Sequence, residues 1–162
     1  MPRESGVLLY SSACGYAIRA LTHLAGGGRA EFHQLEDIAR AEDIPKAFLG
    51  KILQTLVRAG WLASSKGPHG GYALARAPAH ISLLAIKEAI DGTAALEACA
   101  SGLGRCSNDQ PCPQHERFKP LREAIRHYLA TTTVADMART LAEKRALLAR
   151  HSRRPRRPSH RA

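Results

Sequence analysis

Hydrophobic residues follow a helical period at the start of the chain. Ala13, Tyr16, Ala17, Ala20, Leu21 and Leu24 recur between Ser11, a plausible cap, and the Gly26-Gly27-Gly28 stop. A shorter helix is predicted from about His33 to Ala41, burying Leu35, Ile38 and Ala39 while Glu36, Asp37 and Arg40 face water. A third follows, with Pro45 in its first turn and Gly60 as its stop; Phe48, Leu49, Ile52, Leu53, Leu56 and Val57 form its apolar face. Two helices separated by so short a turn predict a helix-turn-helix over about residues 35–58.

After Gly60 the period changes. Trp61-Leu62-Ala63-Ser64 and Tyr72-Ala73-Leu74-Ala75 are short strand-like runs around Lys66-Gly67-Pro68-His69-Gly70-Gly71, which reads as a hairpin with a glycine-rich tip over about 61–75. A hairpin directly after a helix-turn-helix makes a winged helix. Ser82 then caps a helix carrying Leu83, Leu84, Ile86, Ala89 and Ile90 to the stop at Asp91-Gly92. Residues 93–115 form a polar, turn-rich loop. Phe118, Leu121, Ile125, Tyr128 and Leu129 mark a long helix, and Thr133 to Asp136 resembles a capping box opening a final helix to about Arg150. The expected fold is mainly α: a winged helix-turn-helix domain over 1–92, the loop over 93–115, two helices over 116–149 and a disordered tail over 150–162.

Charge sharpens this picture. Among 162 residues, 24 Lys and Arg against 14 Asp and Glu give a formal charge of +10, pointing to a polyanionic partner. Six of those charges are arginines of the tail, from Arg150 to Arg161, which carries no acid. More telling is the interval between Asp43 and Glu88, which has no acidic residue but holds Lys46, Lys51, Arg58, Lys66, Arg76 and Lys87. The third helix and hairpin are therefore expected to lie on nucleic acid. Ala47, Gly50, Lys51, Gln54, Thr55 and Arg58 face away from its core side and can reach a major groove. At the tip, Lys66 can hold a phosphate while Pro68 and His69 enter a minor groove. Gly50, costly inside a helix, would permit close approach to DNA.

No apolar run approaches the ~20 residues of a membrane helix, and Met1-Pro-Arg-Glu-Ser lacks a secretory pattern. The expected setting is cytoplasmic and reducing, where cysteines serve as metal ligands or reactive thiols rather than disulfides. Cys99, Cys106, Cys112 and His115 have the spacing C-x6-C-x5-C-x2-H, a full ligand set for one metal or one cluster. Composition alone separates zinc from iron-sulfur no further. The spacing is also close to that of three-cysteine, one-histidine RNA-binding zinc fingers, so a zinc-stabilised RNA-binding module is the alternative; the loop, however, has no aromatic residue on which a base could stack. An enzyme using Cys112 and His115 lacks an oriented third group, so neither catalysis nor a small-molecule substrate is expected. Cys14, inside the first helix, reads as a small buried apolar residue.

Several of these residues together resemble a known family. Tyr16-Ala-Ile-Arg-Ala-Leu21, Ile38-Ala39, Ile44-Pro45, Phe48-Leu49, Ile52-Leu53, Leu56 to Leu62, the wing Ser65 to Ala75 and the three-cysteine loop are similar to the IscR/NsrR family of bacterial winged-helix regulators. The resemblance spans about Leu9 to Met137. It implies a homodimer joined by the long helix, binding a partly palindromic double-stranded DNA operator, and an iron-sulfur cluster on Cys99, Cys106 and Cys112. His115 matches the histidine that completes the set in members with a 2Fe-2S cluster. Gly15 stands where members with a 4Fe-4S cluster place a carboxylate, which favours 2Fe-2S. Gly50 replaces an acidic residue linked to operator choice, and Lys66 replaces a usual arginine. The expected function is a transcriptional repressor whose operator affinity follows cluster status in response to iron, redox state or nitric oxide.

Overall fold

The computed structural model describes residues 9–28, 31–109 and 112–152. Helix α1 (Ser12–Gly26) begins where Ser11 accepts the Cys14 backbone N–H, as its position in sequence predicts. Its buried Ala17, Ala20, Leu21 and Leu24 make it the central rod of the molecule. Helices α2 (Leu35–Ala41) and α3 (Lys46–Arg58) form the helix-turn-helix, with Ile38, Leu49, Ile52, Leu53 and Leu56 buried against α1 and one another. Gly60, at φ 74, turns the chain out of α3.

Helix α2 starts two residues later than its periodicity predicts. His33 is extended and pairs with Tyr72, His33 N donating to Tyr72 O at 3.0 Å and Tyr72 N to His33 O at 2.9 Å. A backbone already committed to a strand cannot also make helical bonds. Strands β1 (Leu62–Ser65) and β2 (Gly71–Leu74) are antiparallel, Leu62 opposite Leu74 and Ser65 opposite Gly71. His33 thus adds a third, one-residue rung beside β2.

Phe48 departs from its expected place in the core. It is 43% exposed and meets Tyr16 edge-to-face, ring centroids 5.8 Å apart. Gly50 faces α2 instead of open groove: a Cβ there would sit 3.5 Å from Leu35 Cδ2, an ordinary contact. Gly50→Ala should therefore stabilise the protein by ~0.5–1 kcal/mol through helix propensity. Urea unfolding measures this; destabilisation would mean the helix needs the glycine.

A 3-10 turn (Pro78–His80) leads to α4 (Leu83–Asp91), capped by Ser82, whose Oγ accepts from Ala85 N. Lys87 of α4 lies inside, 2% exposed, 3.4 Å from Asp91. It is absent from the basic face where the charge pattern placed it. Asp91 also accepts the Ser11 N–H at 2.8 Å and the Ser11 hydroxyl, joining α4 to the cap of α1. Burial by itself would raise the Asp91 pKa, but these bonds and Lys87 outweigh it and hold the carboxyl below its ordinary value.

One turn of helix, α5 (Ala94–Glu97), enters the cysteine loop, and α6 (His115–Thr131) leaves it. The capping box is present. Thr133 Oγ1 accepts from Asp136 N at 3.2 Å, and Asp136 Oδ2 accepts from Thr133 N at 3.0 Å, opening α7 (Val134–Ser152). Arg150, assigned above to a disordered tail, lies in the last turn of α7. His151 and Ser152, assigned to the same tail, also belong to that turn, and residues 153–162 fall outside the described residues. The α6–α7 corner is bonded to the head: Leu83 N donates to Thr132 O and Val134 N to Ile81 O, both at 2.9 Å.

Candidate nucleic-acid interface and cysteine loop

Of the six residues placed on the outer side of α3, four are exposed in a row, Ala47, Lys51, Gln54 and Arg58, while Gly50 faces α2. Thr55 is half-buried, and its hydroxyl is engaged locally, donating to Lys51 O at 3.1 Å and accepting from Arg58 Nη2 at 3.2 Å. Gln54 Nε2 reaches Tyr72 Oη at 3.3 Å, so the helix is tied to the wing before any ligand arrives. Lys66, Pro68 and His69 are all exposed at the hairpin tip. Lys46 is less available than its charge implies, being 2.9 Å from Glu36 across the two helices.

Two residues missed by sequence reasoning hold this face in place. Gln34 Nε2 donates to Pro68 O at 2.9 Å, anchoring the wing tip to the start of α2, and His33 pins β2 at Tyr72, just past that tip. Neither belongs to a hydrophobic period or a charge run, so only the pairing of distant segments reveals them.

The loop is shaped by backbone bonds. Cys99 N donates to Gly104 O at 2.8 Å and Cys106 N to Glu97 O at 2.9 Å, while Gly102 and Gly104 adopt φ 73 and 85. These turns bring the four chosen residues together as two pairs. Cys99 Sγ is 3.5 Å from Cys112 Sγ, and Cys106 Sγ is 3.3 Å from His115 Nδ1. His115 is 7% exposed, and its Nε2 donates to Asn108 Oδ1 at 2.9 Å, which leaves Nδ1 as the nitrogen with a free lone pair. Asn108 is another contributor that spacing did not reveal. The Ser101 hydroxyl, then the Gln114 backbone N–H, hold the Cys112 thiol below its ordinary pKa.

These distances bear on what the loop can hold. Two ligands on one tetrahedral metal with ~2.3 Å metal–sulfur bonds stand ~3.8 Å apart, close to each pair's separation. Among the described residues, no three His, Cys, Asp or Glu side chains gather as for one ion. Cys14 is apart from both pairs, fully buried in α1, with burial pushing its thiol up to about 12. It packs as an apolar residue.

Among the described residues, no helix is long and apolar enough to cross a membrane. Comparison with known proteins matches residues 10–140 to the Rrf2 family, described as iron-dependent transcriptional regulators. A protein of Aquifex aeolicus designated an HTH-type transcriptional regulator is 33% identical over 132 residues, covering 80% of this chain and 91% of its own. The regulator IscR of Erwinia tasmaniensis is 29% identical over 122 residues, 75% of this chain and 73% of its own. Among solved structures, CymR, the global cysteine regulator of B. subtilis, is similar in fold with a TM-score of 0.70 and 23% identity, covering 80% of this chain and 95% of that one. T. potens IscR is similar with a TM-score of 0.59 and 22% identity, covering 91% and 92%.

Proposed function

The chain belongs to the Rrf2 family of transcriptional regulators, and from that premise we propose that it is a homodimeric repressor whose operator affinity is set by a 2Fe-2S cluster held by Cys99, Cys106, Cys112 and His115. The pairing of Cys99 with Cys112 and of Cys106 with His115 Nδ1 carries this reading. A cluster so held supplies reversible one-electron chemistry and can be gained or lost. Asn108 fixes the His115 tautomer, Ser101 favours the Cys112 thiolate, and the two turn glycines keep the loop closed. A ligand set with one imidazole is more labile than four thiolates, which suits a sensor.

Dimer formation through α6 accounts for its uncovered apolar residues, Leu121 at 55% and Tyr128 at 44% exposure. The two heads would then present α3 to successive major grooves and Lys66, Pro68 and His69 to the flanking minor grooves. Lys51→Ala with Lys66→Ala should weaken operator binding and lower the salt slope by roughly two. Fluorescence anisotropy over a salt series measures it, and wild-type binding by the double variant would remove this face from the interface.

The cluster is tested by anaerobic purification with iron and acid-labile sulfide assays. Equimolar iron and sulfide with visible charge-transfer absorption is expected. Stoichiometric zinc without sulfide would overturn the reading, and preference for single-stranded RNA over duplex DNA would favour the RNA-binding alternative.

A further inference from the structure

Two thiols of the cysteine loop already touch. Cys99 Sγ lies 3.5 Å from Cys112 Sγ, so a disulfide of ~2.05 Å needs the sulfurs to close by only ~1.5 Å. Ser101 sits against both of them. Its backbone N–H is directed at Cys99 Sγ at 3.4 Å, and its hydroxyl is 3.5 Å from Cys112 Sγ. The Cys99 main chain is fixed by the bonds from Cys99 N to Gly104 O and from Gly102 N to Cys99 O. The closing movement therefore falls to side-chain torsions and to the segment leading to Cys112. Among the described residues between Cys99 and Cys112, no helix or strand resists it. Cys106 faces a different neighbour, its Sγ 3.3 Å from His115 Nδ1, and Cys14 is sealed within α1. Of the four cysteines, one pair is set to couple.

We infer that Cys99 and Cys112, when no metal group occupies them, are a redox modification site that a peroxide converts to an intrachain disulfide. One sulfur attacks a peroxide oxygen, the O–O bond breaks, and a sulfenic acid forms with release of water. The neighbouring thiol attacks that sulfur, the S–S bond forms, and the sulfenic oxygen leaves as a second water. Two thiols and one peroxide give one disulfide and two waters, with two electrons passing from sulfur to oxygen. The product is the same whichever sulfur reacts first, so it does not depend on which of them solvent reaches more easily. Thiol reductants reverse the bond, as for other redox-sensing disulfides. Its regulatory consequence rests on the cluster reading above: the disulfide takes two of the four donors, so a chain that meets peroxide after losing its cluster cannot be reloaded until it is reduced.

The full chain is stripped of metal with a chelator under reductant, freed of both without oxygen, and given one equivalent of hydrogen peroxide. Free thiols counted in denaturant should fall from four to two. After alkylation, trypsin cuts at Arg105 and a second protease cuts before Asp109, which places Cys99, Cys106 and Cys112 on separate peptides. Mass spectrometry should find Cys99 joined to Cys112, and dithiothreitol should separate them. Cys99→Ser and Cys112→Ser should each leave no intrachain disulfide. Cys106→Ala, which lacks one proposed cluster donor, should form the bond to the wild-type extent. Metal is absent throughout, so purified protein that holds zinc or no cluster would defeat the cluster reading and leave this test unaffected. Absence of the Cys99–Cys112 linkage, equal linkage of Cys106 to either sulfur, or disulfides only between chains would overturn the proposal.

Discussion

Cys106→Ala should yield a colourless protein, with iron and sulfide falling from stoichiometric to near zero and the visible absorption lost. Cys106 is half of one donor pair, and its loss leaves His115 Nδ1 without a companion at 3.3 Å. The backbone bond from Cys106 N to Glu97 O does not involve the side chain, so the loop keeps that closure and the helices should retain their far-ultraviolet signal. Cys14→Ala is the contrast: its thiol is buried in α1, away from both pairs, and the variant should keep full colour. Equal iron and sulfide in Cys106→Ala and wild type would sink the assignment of ligands. Loss of colour in both variants would point to general misfolding.

Gly71→Ala should be the most damaging single change in the DNA-binding head. Gly71 adopts φ 147, and a Cβ there would drive into the carbonyl of His33. The wing must then leave the start of α2 and give up both backbone bonds between His33 and Tyr72. Two lost hydrogen bonds and a strained φ amount to about 2–4 kcal/mol. Urea unfolding would read that loss, and operator affinity should fall even though no proposed contact residue has been altered. A variant as stable as wild type would show that the third rung contributes little.

Periodicity identified every major helix because each buries one stripe, and the change of period after Gly60 marked the wing. Its limits are physical. His33 joins a sheet through its main chain, which leaves no side-chain pattern to read. Lys87 sits at an i, i+4 spacing from Asp91 that is equally common on a wet helix face, so only packing shows it to be internal. The stripe on α6 was legible as apolar, but a stripe reads the same whatever covers it, and Leu121 and Tyr128 stay exposed within one chain. In the loop, spacing singled out the four residues proposed as donors, while their division into two pairs and the contacts of Asn108 and Ser101 depend on how the turns close.

The corner at Thr132–Val134, bonded to Ile81 and Leu83, gives α6 a fixed pivot at one end and His115 at the other. Seventeen residues make an arm of ~25 Å. A 1 Å shift of the His115 end thus corresponds to a swing of only about 2° at the pivot, if the arm stays straight. Pro120 breaks one backbone bond of that arm near the His115 end, so bending is easiest there and the stretch beyond it moves most nearly as a rigid rod. Motion at the loop is geared down before it reaches the head, so two heads on such arms would be retuned in angle by a few degrees while each stays folded.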